Sequence, residues 1–207
     1  TTKPKSKLLI TGCALGGTHY TARLLQRCGL DLGHEDIRGD GAVSFAHAAW
    51  IDPVARGRGL TCGRHTWAPQ DRTSPPSNEF DLVLRQTRNP RKVATSMGMA
   101  TRQKPAWHVH TAALKARLGV EVPWRVDGGK QDKMKSGVAF AYWWYIYAGL
   151  HARWTYRVED MPHVLPSILD AASYDVGKGK QNQALKTVST SAGRQNSPRW
   201  ASPCATP

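Results

Sequence analysis

Lys7-Leu-Leu-Ile-Thr-Gly12-Cys-Ala-Leu-Gly-Gly17-Thr-His-Tyr20 decides the fold class of this 207-residue chain. Lys7 to Thr11 is a short apolar run bounded by basic residues and a glycine, the pattern of a strand buried on both faces in a parallel sheet. Gly12 to Gly17 follows as a glycine-containing turn. From Thr18, Tyr20, Leu24, Leu25 and Cys28 recur at helical spacing, and Gly29 marks the end of the helix. Strand, glycine-rich loop and helix in that order present unpaired backbone N–H groups to an anion, assisted by the helix dipole. Gly16 and Gly17 permit close approach, and Thr18 offers a hydroxyl. The loop is not a Walker A motif, since it lacks Gly-Lys-[Ser/Thr]. Many such turns are purely structural, so the loop by itself does not decide function.

Working outward, Leu30 to Gly41 reads as a loop with a short edge strand, and Ala42 to Ala55 as helical until Pro53. Gly57 to Glu79 is an irregular excursion. Phe80 to Leu84 is a second buried strand, and Pro90 suits the first turn of a helix whose face carries Val93, Met97 and Ala100. Trp107 to Leu118 is helical, and Val120 to Lys135 exposed and glycine-rich. Val138 to His151 is an aromatic helix and Thr155 to Val158 a third strand. Asp160-Met161-Pro162 opens a helix through Ala172. Beyond about 175 the chain is polar, and an irregular tail is expected. Alternating strands and helices indicate one α/β domain over 1–207, a central parallel sheet flanked by helices.

Composition narrows the partners. Lys and Arg number 29 against 15 Asp and Glu, a net charge of +14, which favours anionic ligands. The basic residues form no run of five or more. This weighs against a nucleic-acid tail, although scattered charges can converge in a fold. Cysteines 13, 28, 62 and 204 form no C-x-x-C pair or zinc spacing, so no metal site is expected and the thiols read as free, in a reducing compartment. His108 and His110 lack a third ligand and read as surface residues. The longest apolar stretch, Val138 to Leu150, is too short for a membrane span. With no signal-peptide pattern, a cytoplasmic protein is expected.

A second stretch carries chemistry. In Leu84-Arg-Gln-Thr-Arg88-Asn-Pro-Arg-Lys-Val-Ala-Thr-Ser96, Arg88 ends a strand, where open α/β sheets bind ligands. Ser96 lies about two helical turns on, so the pair could bracket one phosphate. A solvated Arg beside a helix cap is the plainer alternative.

Together, the loop and the Arg-x7-Ser element resemble the sulfotransferases that use 3′-phosphoadenosine-5′-phosphosulfate. Gly33-His34-Glu35 after the first helix, and Tyr156-Arg-Val-Glu-Asp-Met161 at the end of the third strand, extend the resemblance over about residues 7 to 170. It implies a P-loop-like fold, with Gly16, Gly17, Thr18, His19 and Tyr20 at the 5′-phosphosulfate and Arg88 and Ser96 at the 3′-phosphate. It also implies in-line transfer of a sulfuryl group to a hydroxyl or amine acceptor, with Glu35 as general base and His34 as second choice. The positive charge suits an acidic acceptor such as a glycan. Leu15 stands where the family carries Lys or Arg. Either His19 or an arginine supplies that charge, or the chain binds the nucleotide with little turnover. Arg23 occupies the helix position where some relatives place a glutamate base. Arg194 and Arg199 are candidates to close over the 3′-phosphate. A P-loop phosphotransferase and a non-catalytic nucleotide- or nucleic-acid-binding module are the alternatives.

Overall fold

The computed structural model describes residues 6–60, 80–99, 104–122 and 129–192. Five parallel strands form one sheet in the order β2-β3-β1-β4-β5, with helices on either side. The strands are β1 (Leu8–Gly12), β2 (Leu32–His34), β3 (Gly41–Val43), β4 (Leu82–Thr87) and β5 (Trp154–Arg157). β1 is central, flanked by β3 and β4. The chain runs to one side of β1 for β2 and β3, then crosses to the other for β4 and β5. Crevices at such reversals are where ligands sit in open α/β sheets.

Strand alternation separates two layers. Leu8 and Ile10 of β1 and Leu82 and Leu84 of β4 point to a core closed by α1 (Thr18–Arg27), α7 (Met161–Ala171) and α8 (Lys178–Ala192). On the other face, a second core joins Cys13 to α2 (His47–Ile51), α3 (Pro53–Gly57), α4 (Pro90–Met99), α5 (Lys104–Leu118) and α6 (Lys130–Gly149). Fully buried Phe140, Trp144 and Tyr147 fill it. Among the described residues no helix is long and apolar enough to cross a membrane.

Several sequence expectations are corrected. Ala42 and Val43, read as the start of a helix, belong to strand β3, Gly41–Val43. Its backbone lies so close to β1 that a Cβ on Gly41 would meet Leu8 O at 1.9 Å, and Gly41 holds φ at +125°. β2 and β3 are parallel yet joined by only six residues, 35–40, where such links normally need a dozen. A three-residue strand rises only about 10 Å, so six residues suffice for the return. α6 begins at Lys130, eight residues before the expected start at Val138. The expected irregular tail is helix α8 from Lys178 to Ala192, docked through Ala184 and Leu185. His110 is no surface residue: it is 2% exposed and packs edge-on against Phe45 and Trp144. Of the aromatic cluster, Trp144 and Tyr147 are core, but Tyr142 is 58% exposed.

Candidate functional site

The turn between β1 and α1 is held by its carbonyls. Trp144 Nε1 of α6 donates to Gly12 O at 2.9 Å, Gln86 Nε2 of β4 to Gly16 O at 2.7 Å, and Arg88 Nη1 to Leu15 O at 2.8 Å. Gly16 N closes the turn onto Cys13 O. Glycine is required here: a Cβ on Gly12 would lie 2.6 Å from Gln86 O, and one on Gly16 2.6 Å from Cys13 O. Gly17 caps α1 at φ +91°, with no side chain bonded to the helix end. The first-turn N–H groups of an α-helix have no partner within the helix, and here those belong to Thr18, His19 and Tyr20. The Tyr20 ring packs against the core under α1, so its backbone N–H is what it offers this site.

Gln86 continues the inward row of Leu82 and Leu84 and is 1% exposed. A buried amide must find partners. Besides Gly16 O, its Oε1 accepts from the Thr21 hydroxyl of α1 and, at 3.0 Å, from the Tyr156 hydroxyl of β5. This lattice ties loop, helix and two strands together. Neither Gln86 nor Trp144 was singled out from sequence. The available signal was an amide at an inward strand position.

β2 delivers the two proposed bases to the same edge. His34 Nε2 lies 3.1 Å from Thr18 Oγ1 and 3.8 Å from Glu35 Oε1, and the His19 ring meets the His34 ring edge-on at 5.0 Å. Burial, reinforced by the neighbouring His19 and Arg23, lowers His34 to about 4, so it is neutral at neutral pH. Burial and Arg23 also hold His19 below its ordinary value. Glu35 takes the left-handed conformation at φ +62°, which turns its carboxylate toward the segment before α2. There the Ser44 hydroxyl donates to Oε2 at 2.5 Å and Phe45 N to Oε1 at 3.2 Å. Burial raises its pKa to about 7 against these stabilising bonds. A neutral imidazole and a carboxyl whose pKa is raised by burial therefore stand in line from the loop inward.

Arg88 is brought to the loop by its bond to Leu15 O, and Ser96 lies half-buried about two turns further along α4. Tyr145 OH accepts from Arg88 N at 3.2 Å and would lie 3.3 Å from a Cβ on Gly16. Glu159 Oε1 accepts from Asn89 N at 3.0 Å, tying the start of α7 to the start of α4. Asp160 occupies the N-cap position of α7, as the sequence suggests, yet its side chain makes no cap bond. Cys13 and Cys28 are buried thiols outside any disulfide. Among the described residues no three His, Cys, Asp or Glu side chains are grouped to hold a metal. Cys62, Cys204, Arg194, Arg199 and the side chain of His108 lie outside the described residues.

Comparison of the chain with protein-family models, with curated proteins and with solved structures gives no match.

Proposed function

We propose that the chain is a sulfotransferase that moves a sulfuryl group from 3′-phosphoadenosine-5′-phosphosulfate to an acceptor hydroxyl. The observation that carries this reading is the convergence, at the C-terminal edge of the sheet, of three separate segments: the glycine loop, Arg88 reaching Leu15 O, and His34 touching Thr18. An anion cradle, a cation and a proton acceptor are what an in-line transfer between oxygens needs. The donor supplies an activated sulfur–oxygen bond. Gly16, Gly17 and the first-turn N–H groups of α1 receive its 5′-phosphosulfate. As the new oxygen–sulfur bond forms, the acceptor proton passes through neutral His34, which stands between the loop and Glu35, to the Glu35 carboxylate. A carboxyl with a pKa of about 7 is matched to that task at neutral pH. The electron pair of the broken bond stays on the 5′-phosphate oxygen, where the loop N–H groups meet it. The excess of basic residues favours an acidic acceptor such as a glycan.

The test is the melting temperature with 3′-phosphoadenosine-5′-phosphate, with AMP and with ATP plus Mg²⁺. A ligand at 100 times its Kd stabilises by about 2.7 kcal/mol, a shift of about 5–10 °C at this size. The 3′-phosphorylated nucleotide is expected to give that shift. No shift, or an equal one with ATP, rejects the reading in favour of a phosphotransferase or a binding module.

A further inference from the structure

We propose that Arg88, just past the end of β4, supplies the positive charge that the first loop lacks at Leu15, so that it serves the 5′ anion and not the 3′-phosphate. This assignment rests on the sulfotransferase reading and changes the role that reading gave Arg88 from sequence.

The guanidinium is committed to the loop. Its Nη1 donates to Leu15 O at 2.8 Å, across 73 residues of sequence. Guanidinium has five N–H donors in a planar fork, so that single bond fixes its position and leaves others for a ligand. Other basic side chains are differently engaged. Arg85, three residues earlier and within β4, spends Nε on Thr155 Oγ1 and Nη1 on Tyr145 O. Arg38, Lys115, Arg117 and Arg157 each lie within 4 Å of a carboxylate. Among the described residues no carboxylate pairs with Arg88.

The charge is also placed where it is unfavourable unless an anion arrives. A helix N-terminus carries about half a positive charge. α1 has no acidic residue in its first turn and no side-chain cap. A guanidinium on the preceding loop adds a second positive charge to the first. At the start of α4, by contrast, Asn89 Oδ1 caps Arg91 N and Glu159 binds Asn89 N. The other cations near the loop do not replace Arg88. Burial and the nearby Arg23 disfavour the charged form of His19. Arg23 lies on α1 itself, where its charge acts on His19 and His34.

In the transfer, the sulfur–oxygen bond to the 5′-phosphate breaks and both electrons remain on the phosphate oxygen. A guanidinium does not give up a proton. Arg88 therefore meets that growing charge with hydrogen bonds, and the leaving nucleotide departs as the anion.

Calorimetric titration of the full chain with pyrophosphate, AMP and 3′-phosphoadenosine-5′-phosphate tests this. Arg88→Ala is expected to weaken all three by one common factor, about tenfold to a hundredfold for lost charge-assisted bonds. The ratio of affinities for the 3′-phosphorylated nucleotide and AMP stays as in the wild type. Leu15→Lys in the Arg88→Ala background is expected to restore all three. Should Arg88→Ala fold poorly, Arg88→Gln, which keeps an N–H donor and removes the charge, is read in the same way. A variant that keeps pyrophosphate and AMP affinity and loses only the 3′-phosphate preference overturns the assignment and leaves the sulfotransferase reading standing. A wild type that binds pyrophosphate through Arg88 but prefers no 3′-phosphorylated nucleotide rejects the reading and retains the assignment. A wild type that binds none of the three overturns both.

Discussion

Glu35→Gln should make the protein more stable above neutral pH while removing its proposed proton acceptor. Burial raises the Glu35 carboxyl from 4.5 to about 7, and its side chain is only 13% exposed. Between those two values the folded chain binds more protons at this site than the unfolded chain, so the site lowers stability as pH rises through the window. At about 1.4 kcal/mol per pH unit, the full effect is about 3 kcal/mol above pH 7, and under about 1 kcal/mol has developed at pH 5. Glutamine keeps the shape and carries no charge. Its amide can donate to Ser44 Oγ while its carbonyl accepts from Phe45 N. His34, lowered to about 4, has the opposite sign: its contribution to stability rises with pH between about 4 and 6.5. That contribution is common to both proteins and drops out of the difference between them. Urea or thermal melts of both proteins at pH 5, 6, 7 and 8 should show the advantage of the variant growing by about 2–3 kcal/mol, or about 5–10 °C. A difference flat with pH, or a less stable variant at pH 8, refutes the argument that Glu35 is held near neutrality by burial. In a sulfuryl-transfer assay the same variant should lose about 10²–10⁴-fold in rate.

Four further outcomes are expected. Gln86→Leu strands Gly16 O and the hydroxyls of Thr21 and Tyr156; urea melts should show a loss of about 2–4 kcal/mol, and an unchanged midpoint would mean the lattice contributes nothing. Gly41→Ala drives a Cβ into the backbone of Leu8 at a left-handed φ, so far-UV circular dichroism should reveal a protein without its native fold; a native spectrum and melt would contradict the β1–β3 packing. Asp52 is fully buried, caps α3 through Val54 N and lies 3.8 Å from both Arg117 Nε and His151 Nε2. Asp52→Ala should cost about 3–5 kcal/mol in melts, and a loss under 1 kcal/mol would show that the cluster is not cohesive. Burial pushes the Cys13 thiol far above its ordinary value, so a thiol reagent should label it only on unfolding; peptide mapping that finds Cys13 labelled in the native protein refutes this.

The sequence made the scaffold legible where packing imposes a period. β1, α1, β4 and the core of α6 each bury a regular row, and each was found within a few residues. β3 has only three residues, Gly41-Ala-Val43, too few to establish a period of two. What makes it a strand is the approach of Leu8, which lies 33 positions away. α8 is polar over most of its length and docks by Ala184 and Leu185, so helix α1 and not local amphipathicity decides its course. Among site residues, the loop glycines and Arg88 are marked by type and spacing, His34 and Glu35 by the resemblance to sulfotransferases, and the structure gathers them at one edge. Gln86 and Trp144 grip the loop through contacts 70 and 132 residues apart, for which one chain has no local signal.

Local rules are broken chiefly in one place. Three non-glycine residues among those described take a positive φ: Leu15, Glu35 and Ser173. Ser173 follows α7, where a left-handed residue is a common way to end a helix. Leu15 and Glu35 have no such excuse, and each conformation costs about 1–2 kcal/mol for an L-residue. At the same edge a guanidinium is bonded to the loop that leads into α1, a carboxyl is buried at a cost in stability, and a histidine is held neutral. Strained backbone, a buried carboxyl, a neutral imidazole and a loop-bound guanidinium therefore gather at one edge of the sheet. They persist because the Gln86, Thr21 and Tyr156 lattice and the Trp144 bond over-determine the backbone beneath them. Strain kept in this way at the C-terminal edge of a parallel sheet is the mark of a site shaped for a ligand. An anion at the α1 end would relieve the charge conflict directly. On this reasoning, binding should be tightest for ligands that place two negative charges against the loop, and pyrophosphate should outcompete monovalent phosphate esters at the same site.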